Sequence, residues 1–345
     1  MTNRAITLHG QGDLRLDTAS DPAPGPGEVR VSVSHGGICG SDLHYWADGG
    51  IGTIRVREPI ILGHEFAGRI ESIGAGVEGL APGDVVAVNP SQPCGGCRFC
   101  TEGMAHHCLN MRFTGSAMFL PHEQGGFRDR ITVAAKRCER MSAGTDPAHA
   151  ACAEPLAVCL HAAAQAGELA GKRVLVTGAG PIGALCAAVA QARGAAEVIV
   201  TDLQDAALAV ATRMGATRTV NVATDPEGLA GEESEKGRID VVFECSAAGP
   251  AIEMAIRCLR PRGILVQVGV AGTTPLPLNM MVAKEIAYLG THRFGPEFAE
   301  AAKMIDGRRI DVSPILTHSF APEDCLAAFQ TSLDRSRAVK VQICF

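Results

Sequence analysis

Residues 173–183 read RVLVTGAGPIG, an apolar run that leads into a glycine-rich turn. The short β-branched run predicts a buried strand, and the alanine-rich stretch that follows predicts a helix. In such a unit the first glycine makes a tight turn, the second lets the backbone approach a pyrophosphate, and the third packs helix against strand. The N–H groups at the start of the helix then face the phosphates. We therefore predict that a dinucleotide binds at Gly178, Gly180, Pro181, Ile182 and Gly183.

The same strand-then-helix alternation continues through the second half of the chain. Apolar runs at 173–177, 198–202, 240–245 and 264–269 alternate with helix-like stretches at 183–193, 206–214 and 250–259. This alternation is typical of βαβ units around a doubly wound parallel sheet. We expect two further helices near 296–306 and 322–333, and a last strand at 338–345 that returns to the first half of the chain.

Asp202 ends the second of these strands, about 20 residues past the glycine-rich turn. A carboxylate at this position accepts hydrogen bonds from the adenosine ribose and repels a 2′-phosphate. The alternative is an ordinary helix-capping residue. No arginine follows Asp202 directly, so NAD is favoured over NADP, which remains the alternative cofactor.

The first half of the chain has a different character. Apolar or alternating runs at 29–33, 68–73 and 84–88 are separated by Pro-Gly and glycine-rich segments, which predicts a β-rich domain. At 345 residues with 46% hydrophobic content, the chain is long enough for two domains with cores of their own. The sequence therefore predicts an α/β protein with a β-rich part and a nucleotide-binding part.

Four cysteines, Cys94, Cys97, Cys100 and Cys108, lie within fifteen residues with the spacing C-x2-C-x2-C-x7-C. Thiolates two residues apart on tight turns converge on one point, and four of them form the closed tetrahedral shell of a structural zinc site. A disulfide cluster, buried apolar thiols and an iron–sulfur cluster are the alternatives. This segment, about 90–110, is predicted to stabilise the fold and says nothing about the reaction.

Composition excludes several classes of partner. The net charge is −6, from 31 basic and 37 acidic residues without a basic run, so we expect no nucleic-acid partner and no anionic membrane surface. The first ten residues lack the pattern of a secretory signal, and the apolar runs are too short to span a bilayer. Thirteen cysteines suit a reducing compartment, which predicts a cytoplasmic protein.

A second set of metal-binding residue types is scattered along the chain. Cys39 lies in GICGSDLH, His64 in GHE, and Glu154 in EPLAV near the expected domain junction. Each residue alone is more often structural than a ligand. Together they supply one thiolate, one imidazole and one carboxylate, and three protein ligands leave a fourth position open, as in catalytic zinc sites. Zinc at such a site lowers the pKa of a bound hydroxyl group.

These motifs together resemble the zinc-dependent medium-chain dehydrogenase/reductase family over essentially the whole chain, and Glu154 at the third ligand position resembles its sorbitol dehydrogenase-like branch. The resemblance implies a GroES-like catalytic domain formed by residues 1–153 and 292–345. It also implies a Rossmann domain at 154–291. NAD, a catalytic zinc and a structural zinc are the implied cofactors.

The resemblance also implies roles for individual residues. Cys39, His64 and Glu154 match the catalytic zinc ligands, and Glu65 matches a carboxylate that ligates the metal in some states. Ser41 matches the hydroxyl that takes the alcohol proton, His44 its exit toward solvent, and Asp42 an acid that orients His64. Arg293 matches an arginine of the polyol pocket, with Arg112 a less favoured cation. Further cofactor contacts are implied at Val268, Val270 and His292. Ala207 departs from the family, which often has an arginine there.

We therefore expect an NAD(P)-dependent oxidation of a secondary alcohol in a sugar acid or polyol. Sorbitol, xylitol and L-threonine dehydrogenases share the same metal ligands and remain alternatives. A nucleotide-binding sensor without catalytic activity is a more remote one, because such a protein need not retain Cys39, Ser41, His64 and Glu154 together. A homodimer or homotetramer is implied by the resemblance.

Overall fold

The computed structural model describes residues 2–270 and 272–345. Within them, the strands fall into five sheets, two of which are large. In chain order the strands are β1 (Arg4–Gly10), β2 (Asp13–Thr18), β3 (Glu28–Gly37), β4 (Gly50–Ile51), β5 (Ile54–Arg55), β6 (Ile60–Ile61), β7 (Glu65–Ile73), β8 (Val85–Val88), β9 (Ser91–Gln92), β10 (Arg112–Phe113), β11 (Arg130–Ala134), β12 (Cys138–Arg140), β13 (Arg173–Thr177), β14 (Glu197–Asp202), β15 (Arg218–Asn221), β16 (Ile239–Glu244), β17 (Leu259–Gln267), β18 (Ala287–Gly290), β19 (Leu316–Phe320) and β20 (Lys340–Cys344).

The α-helices lie mostly in the second half of the chain, and none in the described residues combines the length and apolar character needed to cross a bilayer. They are α1 (Gly40–Asp48), α2 (Arg98–Thr101), α3 (Pro147–Ala150), α4 (Ala153–Ala166), α5 (Pro181–Ala192), α6 (Asp205–Arg213), α7 (Ala230–Glu233), α8 (Gly249–Cys258), α9 (Leu278–Lys284), α10 (Glu297–Asp306) and α11 (Cys325–Leu333).

The second half of the chain forms a six-stranded parallel sheet in the order β15-β14-β13-β16-β17-β18. Its central strands are fully buried apolar runs, which parallel strands covered by helices on both faces require. The chain order reverses between β13 and β16, so a crevice opens at their carboxyl ends, where α/β proteins bind ligands. The predicted Rossmann sheet is confirmed.

The first half forms a mostly antiparallel seven-stranded sheet, in the order β12-β8-β7-β3-β20-β19 with β11 on β3. The last strand, β20, comes back from the far end of the chain and pairs with β3, as the sequence predicted. Its register sets Gln342 opposite Gly37, two residues before Cys39. The described end of the chain therefore supports the segment that carries the reactive cysteine.

Two helices next to the predicted metal ligands were not predicted. α1 begins directly after Cys39, because Asp42 caps it: its Oδ2 accepts a hydrogen bond from the Cys39 backbone N–H at 2.9 Å. α4 is almost fully buried and packs against α5 and α10, and it carries Glu154 in its first turn. The predicted domain boundary between residues 153 and 154 falls inside this first turn. The division into 1–153 with 292–345 and 154–291 stays a prediction.

Candidate active site

The four cysteines of the 90–110 segment converge, as their spacing suggests, with their sulfur atoms all within 4.8 Å of one another. The Sγ atom of Cys97 lies 3.6 Å from that of Cys100 and 3.9 Å from that of Cys108. A tetrahedral zinc with Zn–S bonds of about 2.3 Å requires sulfurs about 3.8 Å apart, whereas a disulfide requires about 2 Å. All thirteen cysteines fall in the described residues and are free thiols, so this geometry fits a metal and excludes a disulfide cluster.

Backbone N–H groups point at these sulfurs and favour thiolates. The Cys94 N–H donates to the Cys108 Sγ at 3.2 Å, and the Asn110 N–H donates to the same sulfur at 3.4 Å. The backbone N–H of Gly96, followed by the Cys108 thiol, lowers the pKa of Cys94 to about 6. Burial instead raises the pKa of Cys100 to about 12. Because a thiolate rather than a thiol binds zinc, Cys94 is prepared for the ion, and Cys100 would lose its proton when the ion binds.

A second set of donors forms where β3, β7 and α1 meet. The Cys39 Sγ, a His64 ring nitrogen and a Glu65 carboxylate oxygen lie within 4.8 Å of one another. His64 and Glu65 are buried. Gly63 precedes them at φ +92°, and a β-carbon there would lie 2.3 Å from the Phe127 ring. Only glycine therefore allows the chain to turn His64 toward Cys39.

Asp42 holds this arrangement from behind. Its carboxylate is fully buried and accepts hydrogen bonds from the backbone N–H groups of Cys39, at 2.9 Å, and Gly63, at 3.2 Å. Its Oδ1 lies 3.7 Å from Nδ1 of His64. Burial raises the pKa of Asp42, and the adjacent His64 opposes that rise. One carboxylate thus fixes the two segments that carry Cys39 and His64, which agrees with the orienting role predicted for it.

Glu65 has a partner that the sequence did not suggest. Both of its carboxylate oxygens accept hydrogen bonds from Nζ of Lys340 in β20, at 2.8 and 2.7 Å, and both side chains are at most 3% exposed. Lys340 also donates to the Ile38 carbonyl at 3.2 Å. Lys340, the only charged residue in 338–345, was the available signal, since a buried lysine requires an anionic partner. The ion pair holds Glu65 beside the metal-binding cluster.

Glu154, the predicted third ligand, lies outside the set of atoms that come within 4.8 Å of one another. It is buried, and its carboxylate interacts electrostatically with His64 and Lys340. Burial raises the pKa of Glu154 to about 7, and His64 opposes the rise. A buried carboxylate beside a thiol and an imidazole is the donor set of a catalytic zinc. Cys39, His64 and either Glu154 or Glu65 thus fit the ion chemically.

Ser41 and His44 lie on α1, next to Cys39. Both line the large cleft described below, together with Cys39 and Glu65. His44 is exposed, and its Nδ1 is 2.8 Å from the Asp48 carboxylate. The serine and the histidine therefore lie on the side of α1 that opens to solvent, where a proton could leave.

The glycine-rich turn has the geometry that its sequence predicts. Gly178 follows β13 at φ +87°, and a β-carbon on Gly183 would lie 1.8 Å from the Gly178 carbonyl oxygen. Asp202 closes the turn: its Oδ2 accepts from the Ala179 N–H at 2.6 Å, and its Oδ1 accepts from Leu203 N–H at 2.7 Å. Pro181 starts α5, whose first N–H groups are thus free for phosphate oxygens.

A single cleft of about 1430 Å³ joins the glycine-rich turn to the metal-binding cluster. The predicted residues that line it are Cys39, Ser41, His44, Glu65, Gly178, Gly180, Pro181, Ile182, Gly183, Asp202, Val268 and Val270. Among the described residues His292 is not part of this lining; its ring stacks on His107 with centroids 5.7 Å apart. The cleft is long enough to place a dinucleotide beside the metal site.

The two candidate arginines differ sharply. Arg293 places its guanidinium 4.6 Å from the centroid of the Phe113 ring, and that ring contacts His64 at 5.6 Å. Arg293 adopts φ +53°, a conformation that a side-chain-bearing residue rarely keeps without a reason. Arg112 instead donates to the Pro121 carbonyl and pairs with Glu123, both at 3.1 Å. Arg112 is a structural ion pair, and Arg293 is the cation near the metal site.

Two comparisons with families agree with this geometry. Residues 25–143 match the alcohol dehydrogenase GroES-like domain family, and residues 181–307 match the zinc-binding dehydrogenase family. The chain is 39% identical over 316 residues to L-idonate 5-dehydrogenase (NAD(P)(+)) of Escherichia coli K12, with 91% of each chain covered. The chain belongs to the zinc-dependent medium-chain dehydrogenase/reductase family.

Further relatives of this medium-chain dehydrogenase lie in the predicted branch. Human sorbitol dehydrogenase is 36% identical over 333 residues, covering 95% of this chain and 92% of the human one. The crystal structure of the Escherichia coli L-idonate 5-dehydrogenase superposes with a TM-score of 0.95 at 36% identity, over 100% of this chain and 99% of that one. The predicted family, fold class and cofactors, zinc and a nicotinamide dinucleotide, are confirmed. The roles of the individual site residues stay predictions.

Proposed function

We propose that this dehydrogenase oxidises a secondary alcohol of a sugar acid with NAD(P), and that it converts L-idonate to 5-keto-D-gluconate. The alcohol carbon loses a hydride and the alcohol oxygen loses a proton, which leaves a ketone. When bound, zinc supplies a Lewis acid for the alcohol oxygen and the nicotinamide supplies the hydride acceptor. The similarity to an L-idonate 5-dehydrogenase at 39% identity supports this substrate.

The position of Arg293 carries the proposal. Within the described residues its guanidinium has no carboxylate partner within 4 Å. It packs over the Phe113 ring, and the same ring contacts His64. A sugar acid brings a planar carboxylate, and an arginine can donate two parallel hydrogen bonds to it. Neutral polyols such as sorbitol or xylitol offer no such partner. An arginine at this position also matches the polyol pocket of sorbitol dehydrogenases, so Arg293 suits either substrate. The carboxylate of a sugar acid would add a charge-assisted contact that a neutral polyol lacks.

Ser41 and His44 handle the proton in this proposal. The Ser41 hydroxyl accepts the alcohol proton as it gives up its own proton toward His44. His44, exposed and paired with Asp48, releases a proton to solvent. Lys340 balances the negative charge of Glu65 inside the protein, so that the Glu65 carboxylate does not compete with the substrate in the cleft. Each of these groups is part of this chain, so each step can be tested by substitution.

Steady-state rates with L-idonate, sorbitol, xylitol and L-threonine, each with NAD and NADP, test the proposal. Arg293→Ala should lower kcat/KM for L-idonate by about 10–100-fold, the value of a charge-assisted contact, and change the rate with sorbitol far less. Arg112→Ala is the matched control and should leave the ratio of the two substrates unchanged. Turnover of sorbitol or L-threonine without turnover of L-idonate would reject the substrate.

We also propose that the enzyme is a cytoplasmic homodimer or homotetramer. β18 pairs with β17 on one side and forms the edge of the six-stranded sheet, and Leu278 and Val282 of the preceding α9 are 63% and 78% exposed. An open edge beside exposed apolar side chains is commonly covered by a partner. Light scattering of the purified protein tests this; a monomer at micromolar concentration would contradict it.

A further inference from the structure

The cleft contains more positive charge than the predicted cofactor contacts use. A dinucleotide carries a diphosphate, and the predicted residues offer it only backbone N–H groups at the glycine-rich turn. Four side chains of lysine or arginine line the cleft: Arg55, Arg257, Arg335 and Lys340. Their contacts decide which of them is free to meet a phosphate.

Three of these cations are already engaged. Lys340 is buried and donates to both carboxylate oxygens of Glu65. Arg257 forms ion pairs with Glu233 and Glu253, both at 3.0 Å. Arg55 donates to the Ile54 carbonyl at 3.2 Å and packs over Gly50, where a β-carbon would lie 2.5 Å from its Nη1. None of the three cations is among the nearest neighbours of Gly178, Gly180 or Gly183 in the described residues.

Arg335 differs from these three cations because its side chain is unpaired in the part of the chain that the structure describes and lies close to the glycine-rich turn. Its side chain has no hydrogen bond or ion pair in the described residues, and it lies in the segment that joins α11 to β20. A β-carbon on Gly180 would lie 3.9 Å from the Nη1 atom of Arg335. Gly180 is the second glycine of the turn, the one whose missing side chain lets a pyrophosphate approach the backbone. An unpaired guanidinium therefore points at the position where a diphosphate is expected.

We propose that Arg335 binds the diphosphate of the nicotinamide cofactor, opposite the backbone N–H groups at the start of α5. The diphosphate then connects two parts of the fold, since Gly180 follows a strand of the six-stranded sheet and Arg335 precedes β20 of the seven-stranded sheet. A planar guanidinium suits two phosphate oxygens at once. The proposal depends on nucleotide binding alone and is independent of the identity of the substrate.

Binding of nucleotide fragments tests the proposal without measuring turnover. Adenosine, AMP and ADP are titrated against wild type and Arg335→Ala by displacement of NADH fluorescence. ADP binding should weaken about tenfold in the variant, because one charge-assisted contact is lost, whereas adenosine binding should change less than about twofold. Arg335→Lys should retain part of the ADP affinity, and the alanine variant should show a weaker dependence of ADP affinity on salt.

Arg337 provides the matched control, because it is an exposed arginine in the same segment and is not among the residues that line the cleft. Arg337→Ala should bind ADP as wild type does. Three results would overturn the proposal: unchanged ADP affinity in Arg335→Ala, an equal loss of adenosine and ADP affinity, or the same loss in Arg337→Ala. Melting temperatures of the variants show whether each protein is folded.

Discussion

The two metal-binding sets of this enzyme are built in opposite ways. Cys94, Cys97, Cys100 and Cys108 come from one continuous segment, and their sulfurs lie within 4.8 Å of one another. Cys39 and His64 lie directly before α1 and β7. The third ligand, Glu154 or Glu65, comes from the first turn of α4 or the first residue of β7, so the fold must bring distant segments together. The first set is closed by four protein ligands, and the second leaves room for a reactant. The contrast predicts that damage to the first affects stability and damage to the second affects chemistry.

The largest expected effect follows from Cys39→Ser, which removes the thiolate of the reactive set. Turnover should fall by at least about a thousandfold, because polarisation of the alcohol oxygen is lost. NADH affinity should change less than about twofold, because the glycine-rich turn and Asp202 are untouched. Metal analysis should show the loss of one of the two predicted ions.

Cys344→Ser, at an exposed cysteine outside both sets, is the control for this experiment. Unchanged turnover in Cys39→Ser would contradict the assignment of Cys39 to a catalytic zinc.

The next effect separates the two carboxylates beside His64. Glu154→Gln should weaken zinc binding at the reactive set by more than the about 10–100-fold that loss of an outer partner costs, if Glu154 is the third ligand. Glu65→Gln should instead lower the free energy of unfolding by about 3–5 kcal/mol, because it leaves the buried Lys340 without its anion. Zinc titration and chemical unfolding of both variants measure the two effects.

If Glu65→Gln weakens zinc binding and Glu154→Gln lowers stability instead, Glu65 is the ligand. That result would agree with the set of donor atoms found within 4.8 Å and would correct the assignment of Glu154.

A smaller effect is expected from Cys100→Ser in the closed set. Loosening of the 90–110 segment should lower Tm by about 3 °C, which corresponds to roughly 2 kcal/mol for a chain of this size. The kcat of the protein that remains folded should change less than about threefold. A wild-type melting curve, or a loss of turnover without a loss of stability, would contradict the division of roles.

The smallest effect concerns the two ends of the proton path. Ser41→Ala should lower kcat by about a hundredfold, a typical contribution of a positioned proton acceptor. His44→Ala should cost only about threefold, because His44 is 62% exposed and buffer can take its place. Added imidazole should restore the rate of His44→Ala and not that of Ser41→Ala. Equal losses in both variants would mean that the proton leaves by another route.

Local patterns were predicted well from the sequence, for physical reasons. The Gly178–Gly183 turn and the four cysteines act within one segment, where residue type and spacing already determine the geometry. The four central parallel strands were predicted because buried apolar runs alternate with helical stretches, whereas the short edge strand β15 was not predicted. The exact ends of β13 agree with the prediction, and most other elements differ by a few residues.

Contacts between distant segments were beyond this kind of prediction. The ion pair of Lys340 with Glu65, the ring contact of Arg293 with Phe113 and the approach of Arg335 to Gly180 each join residues far apart in the chain. No periodicity encodes such pairs, since they depend on how two sheets are placed. The helix α4 was missed for a related reason: its alanines and Cys159 face protein on nearly all sides, so it shows little amphipathic pattern.

The pairing of β20 with β3 has a consequence for the order in which the protein can form. Lys340 reaches the carbonyl of Ile38 across 302 residues of chain. β11 pairs with β3 at Glu28–Ser32, but on the same edge the residues His35–Gly37 pair with β20. During synthesis, this end of β3 stays unpaired on that edge, and Glu65 lacks its counter-ion, until almost the entire described sequence has left the ribosome. An exposed strand edge in a nascent chain invites pairing with other chains. The newly synthesised enzyme should thus depend on chaperones until β20 has been made and has paired with β3.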